Sequence, residues 1–222
     1  MELPRVYLYG IIHKTLRVEL FDTCNKIASA NFTDPGEREE VVRAIQCTMS
    51  FVDEHGVHED TFVEPAVRSV NADLANRVRA DHEALDPGTK LLLGLVSELS
   101  GTEGMMAVAI GARLHGQYCS FLGEYLTHMS VEENQVNEAL WSAYTDEELA
   151  GLRTELQGSL PPQRFAELVA LMVPAMNLQE RIGVLGGMEM GAPPAVFEAL
   201  SAIAQNALGE AGWAEVAKEL PS

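Results

Sequence analysis

The sequence predicts an all-helical protein, and three observations carry that prediction. Apolar residues recur at three and four positions, no sustained alternation or Asn-Gly hairpin occurs, and the pattern breaks at Asp-Pro-Gly, Ser-Gly-Thr and Pro-Pro sites that stop and start helices. A first helix is expected from about Pro4 to Ala30. It closes at Asn31-Phe32-Thr33-Asp34-Pro35-Gly36, where Asp34 or Thr33 can cap the next helix and Pro35 suits its first turn. A second runs from near Glu37 to about Val70. A third starts around Asn71 and meets Asp86-Pro87-Gly88, where Pro87 is expected to kink or restart it before Leu91 to Leu99. Ser100-Gly101-Thr102 ends that segment, and a long fourth helix follows from about Glu103 to Tyr144.

Four helices in residues 1–144 have the size of a four-helix bundle. Residues 145–222 read as an extension of short helices packed on that bundle. Thr145-Asp146-Glu147-Glu148 is a capping-box start, and Pro161-Pro162 and Pro193-Pro194 open two further helices of about a dozen residues each. Apolar periodicity continues through Leu168, Leu171, Leu178, Ile182, Phe197 and Trp213.

Composition restricts the partners. With 33 Asp or Glu against 15 Lys or Arg, the net charge of −18 repels a phosphate backbone and leaves no polybasic face for a lipid surface. Neither nucleic acid nor a membrane is expected as a partner. Apolar residues make up 47% of the chain, enough for a real core. No apolar run approaches the roughly 18 residues of a membrane span; the longest, Leu91 to Val96, is broken by Gly94. Met1-Glu2-Leu3-Pro4-Arg5 lacks the pattern of a secretory signal. Cys24, Cys47 and Cys119, far apart and odd in number, suggest neither a disulfide framework nor a CxxC metal clip. A cytoplasmic setting is the expectation.

All six histidines lie in the first 128 residues, which points the chemistry at the bundle. In the second helix Val41, Ile45, Thr48, Val52, His55, Glu59 and Phe62 form one stripe at alternating spacings of four and three. Leu114, Tyr118, Phe121, Tyr125, His128 and Glu132 do the same in the fourth. Tyr9, His13, Leu16 and Leu20 share a face of the first helix, and Ala75, Val78, His82 and Leu85 share one of the third. Each helix therefore offers one inward histidine. His13 and His82 are 69 residues apart, while His55 and His128, and Glu59 and Glu132, are each 73 apart, so two helical pairs carry the same set.

Six polar groups on buried seams need a shared partner, because an unpartnered buried group costs a few kcal/mol and an ionised carboxylate far more. A dinuclear metal centre supplies one. Four imidazoles and two carboxylates exceed a four-coordinate zinc site, whereas two octahedral ions can take two histidines each and share both carboxylates. The positions left over suit solvent or an exogenous ligand such as dioxygen. Mixed nitrogen and oxygen ligation with open positions fits iron best, manganese second and zinc third. The competing interpretation, satisfied core histidines with surface glutamates, requires six matched positions to coincide by accident.

His13 with Arg17, His55-x-x-x-Glu59 followed by Phe62 and Pro65, His82, and His128-x-x-x-Glu132-Glu133 together resemble the hemerythrin-like (HHE cation-binding) domain over about residues 5 to 143. The resemblance implies an up-down four-helix bundle and a non-haem di-iron centre with His13, His55, Glu59, His82, His128 and Glu132 as ligands. Oxygen-carrying members have a further histidine one turn after the third-helix histidine; here Asp86 stands there, followed by Pro87. The set looks more like the four-histidine, two-glutamate variant of iron-sulfur repair proteins and of the iron-sensing domain of an F-box protein. The tail is similar to helical tails after hemerythrin repeats in plant iron-regulatory ubiquitin ligases, although no RING or other zinc motif is present.

Further residues are candidates for supporting roles. Tyr125 could hydrogen-bond a ligand, gate the open position or simply pack the bundle. Glu133 and Asp86 could supply an extra oxygen, support a ligand or lie on the surface. His58, off the seam, suits a solvated or supporting role. His115 lies 13 residues before His128, about 20 Å along a helix, and reads as structural, and Cys119 as a buried, inert thiol. The expected function is binding of dioxygen, nitric oxide or peroxide at two iron ions for sensing, iron handling or stress defence. The alternatives are a di-iron enzyme or iron-sulfur repair factor, and a metal-free helical module whose tail binds a partner or forms a homodimer. Histidines outnumbering ligand acids lean away from substrate oxidation.

Overall fold

The computed structural model describes residues 5–220. Those residues are helical, with no strand among them. The helices are α1 (Gly10–Ser29), α2 (Pro35–His58), α3 (Glu64–Val70), α4 (Ala72–Ser100), α5 (Gly104–Val131), α6 (Asn137–Ala143), α7 (Asp146–Ser159), α8 (Pro162–Ala175), α9 (Leu178–Gly191) and α10 (Pro194–Ala217). Two π-helical turns, Glu59–Val63 and Glu132–Val136, join α2 to α3 and α5 to α6. Two compact units result, residues 1–153 and 154–222.

In the first unit α1 touches α2 and α5, α2 touches α4, and α4 touches α5. The seam residues of all four long helices are buried: Leu16 and Leu20, Val41 and Ile45, Leu92 and Leu99, Ile110 and Leu114. Fully burying each such side chain contributes about 1.5–3 kcal/mol, so the seams supply most of the force that assembles the unit. Phe32, in the loop after α1, inserts at Gly111, where a Cβ would sit 2.4 Å from the ring. Gly88 plays a similar role on α4, since a Cβ there would lie 3.0 Å from Phe121. Both glycines are absences of side chain that let a neighbouring ring approach.

Caps follow the sequence signals. Asp34 accepts from the Glu37 N–H with Pro35 in the first turn of α2, and Asn71 accepts from the Leu74 N–H at the start of α4. The Thr145 hydroxyl and Glu148 carboxylate cap α7 reciprocally.

Three expectations are corrected. The first helix starts at Gly10, because residues before it spend their hydrogen bonds elsewhere: Arg5 donates to Asp146, Trp141 O and Tyr144 O, and Trp141 Nε1 donates to Val6 O. Pro4 and the signal-sequence reading of Met1 to Pro4 fall outside the described residues. Pro87 does not restart the third helix, and α4 continues through it to Ser100. The second and fourth helices each contain a π turn. A π turn inserts one residue, so the buried residue after Glu59 is Val63 at 5% exposure, and Phe62 turns partly outward. The two compact units divide inside α7, and Leu149 belongs to the apolar cluster of Val63, Val67, Val136 and Leu140.

The second unit holds its own core of Val169, Val173, Leu185, Leu200, Ala204 and Val216, with α10 against α8 and α9. α9 opens with a complete Asn177/Glu180 capping box. α10 extends over 24 residues across a break at Gly209, whose φ of 68° favours glycine. Among the described residues no helix is long and apolar enough to cross a membrane.

Candidate metal centre

One turn of α-helix stacks positions i and i+4, so His55 at the end of α2 stands over Glu59, and His128 at the end of α5 over Glu132. His55 Nε2 lies 3.1 Å from Glu59 Oε1, and His128 Nε2 lies 3.2 Å from Glu132 Oε1. Both carboxylates begin a π turn. The two π turns repeat the 73-residue offset of the ligands, and such insertions re-aim side chains at functional sites.

α1 and α4 complete the cluster. His13 Nε2 lies 3.0 Å from His55 Nε2, 3.6 Å from Glu59 Oε1 and 3.5 Å from Glu132 Oε2. His82 Nε2 lies 3.4 Å from Glu59 Oε2 and 3.5 Å from Glu132 Oε1. Two four-donor groups result: His13, His55, Glu59 and Glu132, and Glu59, His82, His128 and Glu132, each with its ligand atoms within 4.8 Å of one another. Each carboxylate turns one oxygen toward His13 and the other toward His82. All six sequence-predicted ligands therefore meet in one cluster that could hold metal.

The residues fit a metal. Both oxygens of Glu59 and of Glu132, and His82 Nε2, are buried without a hydrogen-bond partner. Leaving such acceptors unmet costs about 1–3 kcal/mol each, more when charged. Donors around a six-coordinate ion at about 2.1 Å lie about 3.0 Å apart when adjacent, close to the 3.0–3.6 Å found within each of the two donor groups.

Two of the four outward nitrogens are held. His13 Nδ1 donates to Glu133 Oε1 at 3.1 Å, and Arg17 clamps both Glu133 oxygens at 2.6 and 2.9 Å. His82 Nδ1 donates to Asp60 Oδ1 at 3.0 Å. A proton committed to Nδ1 fixes the ring and turns the Nε2 lone pair toward the centre. Asp60 and Glu133 are again 73 residues apart, so the supporting acids obey the same repeat as the ligands. The sequence reading missed Asp60, and that offset was the signal that could have found it.

Electrostatics express the same demand. Burial pulls the His13 imidazolium down, but its hydrogen bond to Glu133 and the nearby Glu59 and Glu132 carboxylates outweigh it, pushing the pKa up to about 9. His82 is pushed up to about 11, with burial again opposed by Glu132 and Glu59. Burial raises the Glu59 carboxyl, yet the His55 charge and the close approach of the His13, His55 and His82 imidazoles hold it well below the usual range. In the metal-free protein, protons on imidazoles thus stand where a cation would.

The other candidates separate. Glu133 supports His13, as described. Asp86 takes the surface alternative: it is exposed and pairs with Lys90 at 3.2 Å. Tyr125 is buried and packs its ring on Phe121 and His128, with centroids 5.7 and 5.8 Å apart. His58 lies against Phe62 and is in neither donor group. Cys119 is corrected: it is exposed, beside Cys24 and His115. Beside Glu59, His82 and Glu132 a cavity of about 10 Å³, room for one water-sized ligand, is walled by Tyr9, Val63, Val67, Ala75, Val78 and Val136. No family model matches the chain, and no curated protein or solved structure matches it.

Proposed function

We propose that the chain is a hemerythrin-like protein, in which an up-down four-helix bundle of α1, α2, α4 and α5 holds two iron ions that bind dioxygen, nitric oxide or peroxide for sensing, iron handling or stress defence. One observation carries this reading: Glu59 and Glu132 are shared between two histidine pairs, each carboxylate offering one oxygen to each half. That is the arrangement two bridging carboxylates need, and an ion in either donor group alone leaves the two imidazoles of the other unused. The ring of contacts among the four long helices supports the bundle topology.

Two irons would supply redox-active positions for a small ligand. The chain's own contribution is to fix four imidazoles through Glu133, Asp60 and the packed seams, and to keep the surroundings dry. The small, mostly apolar cavity beside His82 has room for a ligand of about one water's size and none for an organic substrate. Histidine-rich ligation favours iron over calcium or magnesium.

Iron quantified in protein purified from iron-replete cells should approach two per chain. His55→Ala and Glu132→Ala should each lose most of it while keeping their helices. The aerobic protein should show charge-transfer absorption that dithionite bleaches. A well-folded wild-type protein that takes up no iron overturns the proposal.

A further inference from the structure

A second donor cluster stands on the outer face of α1 and α5. Cys24 comes from α1, while His115 and Cys119 are one turn apart on α5. Cys24 Sγ and Cys119 Sγ are 3.8 Å apart, Cys119 Sγ and His115 Nε2 are 3.6 Å apart, and the three ligand atoms lie within 4.8 Å of one another. Around a tetrahedral zinc with Zn–S of about 2.3 Å and Zn–N of about 2.0–2.1 Å, two sulfurs sit about 3.8 Å apart and a sulfur and nitrogen about 3.6 Å apart. Both separations match that geometry.

We propose that Cys24, His115 and Cys119 form a Cys2His site for zinc, with its fourth tetrahedral position open to solvent. The donor chemistry selects the ion: two thiolates and an imidazole suit zinc and disfavour the hard cations that prefer oxygen. Cys119 is exposed and Cys24 and His115 are half-buried, so an ion reaches the site without opening the core. On binding, two S–Zn bonds form as two S–H protons leave to solvent. The neutral imidazole contributes its Nε2 lone pair, and nothing is oxidised. The bound ion ties α1 to α5 at roughly 14–20 Å along α5 from His128, so this site is separate from the histidine-carboxylate cluster.

Cobalt(II) added to the reduced, metal-free full chain tests the proposal. One equivalent should produce a thiolate-to-cobalt charge-transfer band in the near ultraviolet, with the strong visible bands of tetrahedral cobalt, and zinc should erase both. The charge-transfer band should be lost in Cys24→Ser and Cys119→Ser, weakened in His115→Ala and unchanged in Cys47→Ser. Because the histidine-carboxylate cluster contains no sulfur, His55→Ala should keep the band, which separates failure of this site from failure of the di-iron reading. In the unmutated protein zinc should also slow alkylation of Cys119, a readout that needs no variant. Absence of the charge-transfer band, or alkylation indifferent to zinc, overturns the proposal. So does a Cys24–Cys119 disulfide whose reduction restores no metal uptake.

Discussion

Removing metal from the histidine-carboxylate cluster should cost the fold several kcal/mol, and the structure sets the scale. Four carboxylate oxygens, two on Glu59 and two on Glu132, are buried without a hydrogen bond. At about 1–3 kcal/mol for each unmet acceptor, the demand is roughly 4–12 kcal/mol, comparable with the whole stability of a typical domain. Imidazoles 3.1–3.6 Å away offset part of it in the metal-free state, so the lower end, about 4 kcal/mol, is the expected gain on loading. For a chain of this size each kcal/mol moves the midpoint by about 2–4 °C, giving a shift of roughly 8–16 °C between chelated and iron-loaded protein. Calorimetry or circular dichroism melts on the two forms would measure it. His55→Ala should abolish the shift while keeping the helical signal. Coincident melts for chelated and loaded wild-type protein would refute the reasoning, because they would mean that the buried carboxylates are already satisfied by their histidines.

Three further outcomes are expected. Glu133→Gln weakens both the hydrogen bond from His13 Nδ1 and the Arg17 clamp, so iron affinity should fall by about 10–100-fold with the helices intact, as read by chelator competition; unchanged affinity would count against the orienting role. Gly111→Ala places a Cβ 2.4 Å from the Phe32 ring and should destabilise by about 1–3 kcal/mol in urea titrations, and a Phe32→Leu second change should recover part of the loss. In chelated protein His13 and His82, raised to about 9 and about 11, contribute stability that is fully present below about pH 6.5 and lost as pH rises through their folded values. Glu59, held low, contributes stability present above about pH 4.3 and lost on acidification. The metal-free midpoint should therefore fall from neutral pH toward pH 10, whereas the stabilisation gained from iron should grow, because metal and protons compete for the same nitrogens. A metal-free midpoint that climbs over that range contradicts the assignment.

The candidate ligands were legible because their signal is local. His55 and Glu59, or His128 and Glu132, are one helical turn apart, and both pairs continue apolar stripes that must face a core. The caps at Asp34, Asn71 and Thr145 were legible for the same reason, since a cap acts within three residues. The helix start was less so: nothing in the local pattern of Val6 to Tyr9 says that Arg5 will spend its donors on Asp146 and the Trp141 and Tyr144 carbonyls.

By itself, the sequence determined that the chain is helical, which faces are buried and which six side chains share them, because periodicity converts spacing into direction. Only the tertiary structure decided how those side chains meet. The π turns that begin at Glu59 and Glu132 shift the register by one residue, moving Val63 inward in place of Phe62, and an alternation of threes and fours cannot reveal an inserted residue. Asp60 reaches His82 across 22 residues of chain, and Cys24 reaches Cys119 across 95. Such contacts depend on which helix lies beside which and at what height, a global property of packing that no single helix encodes.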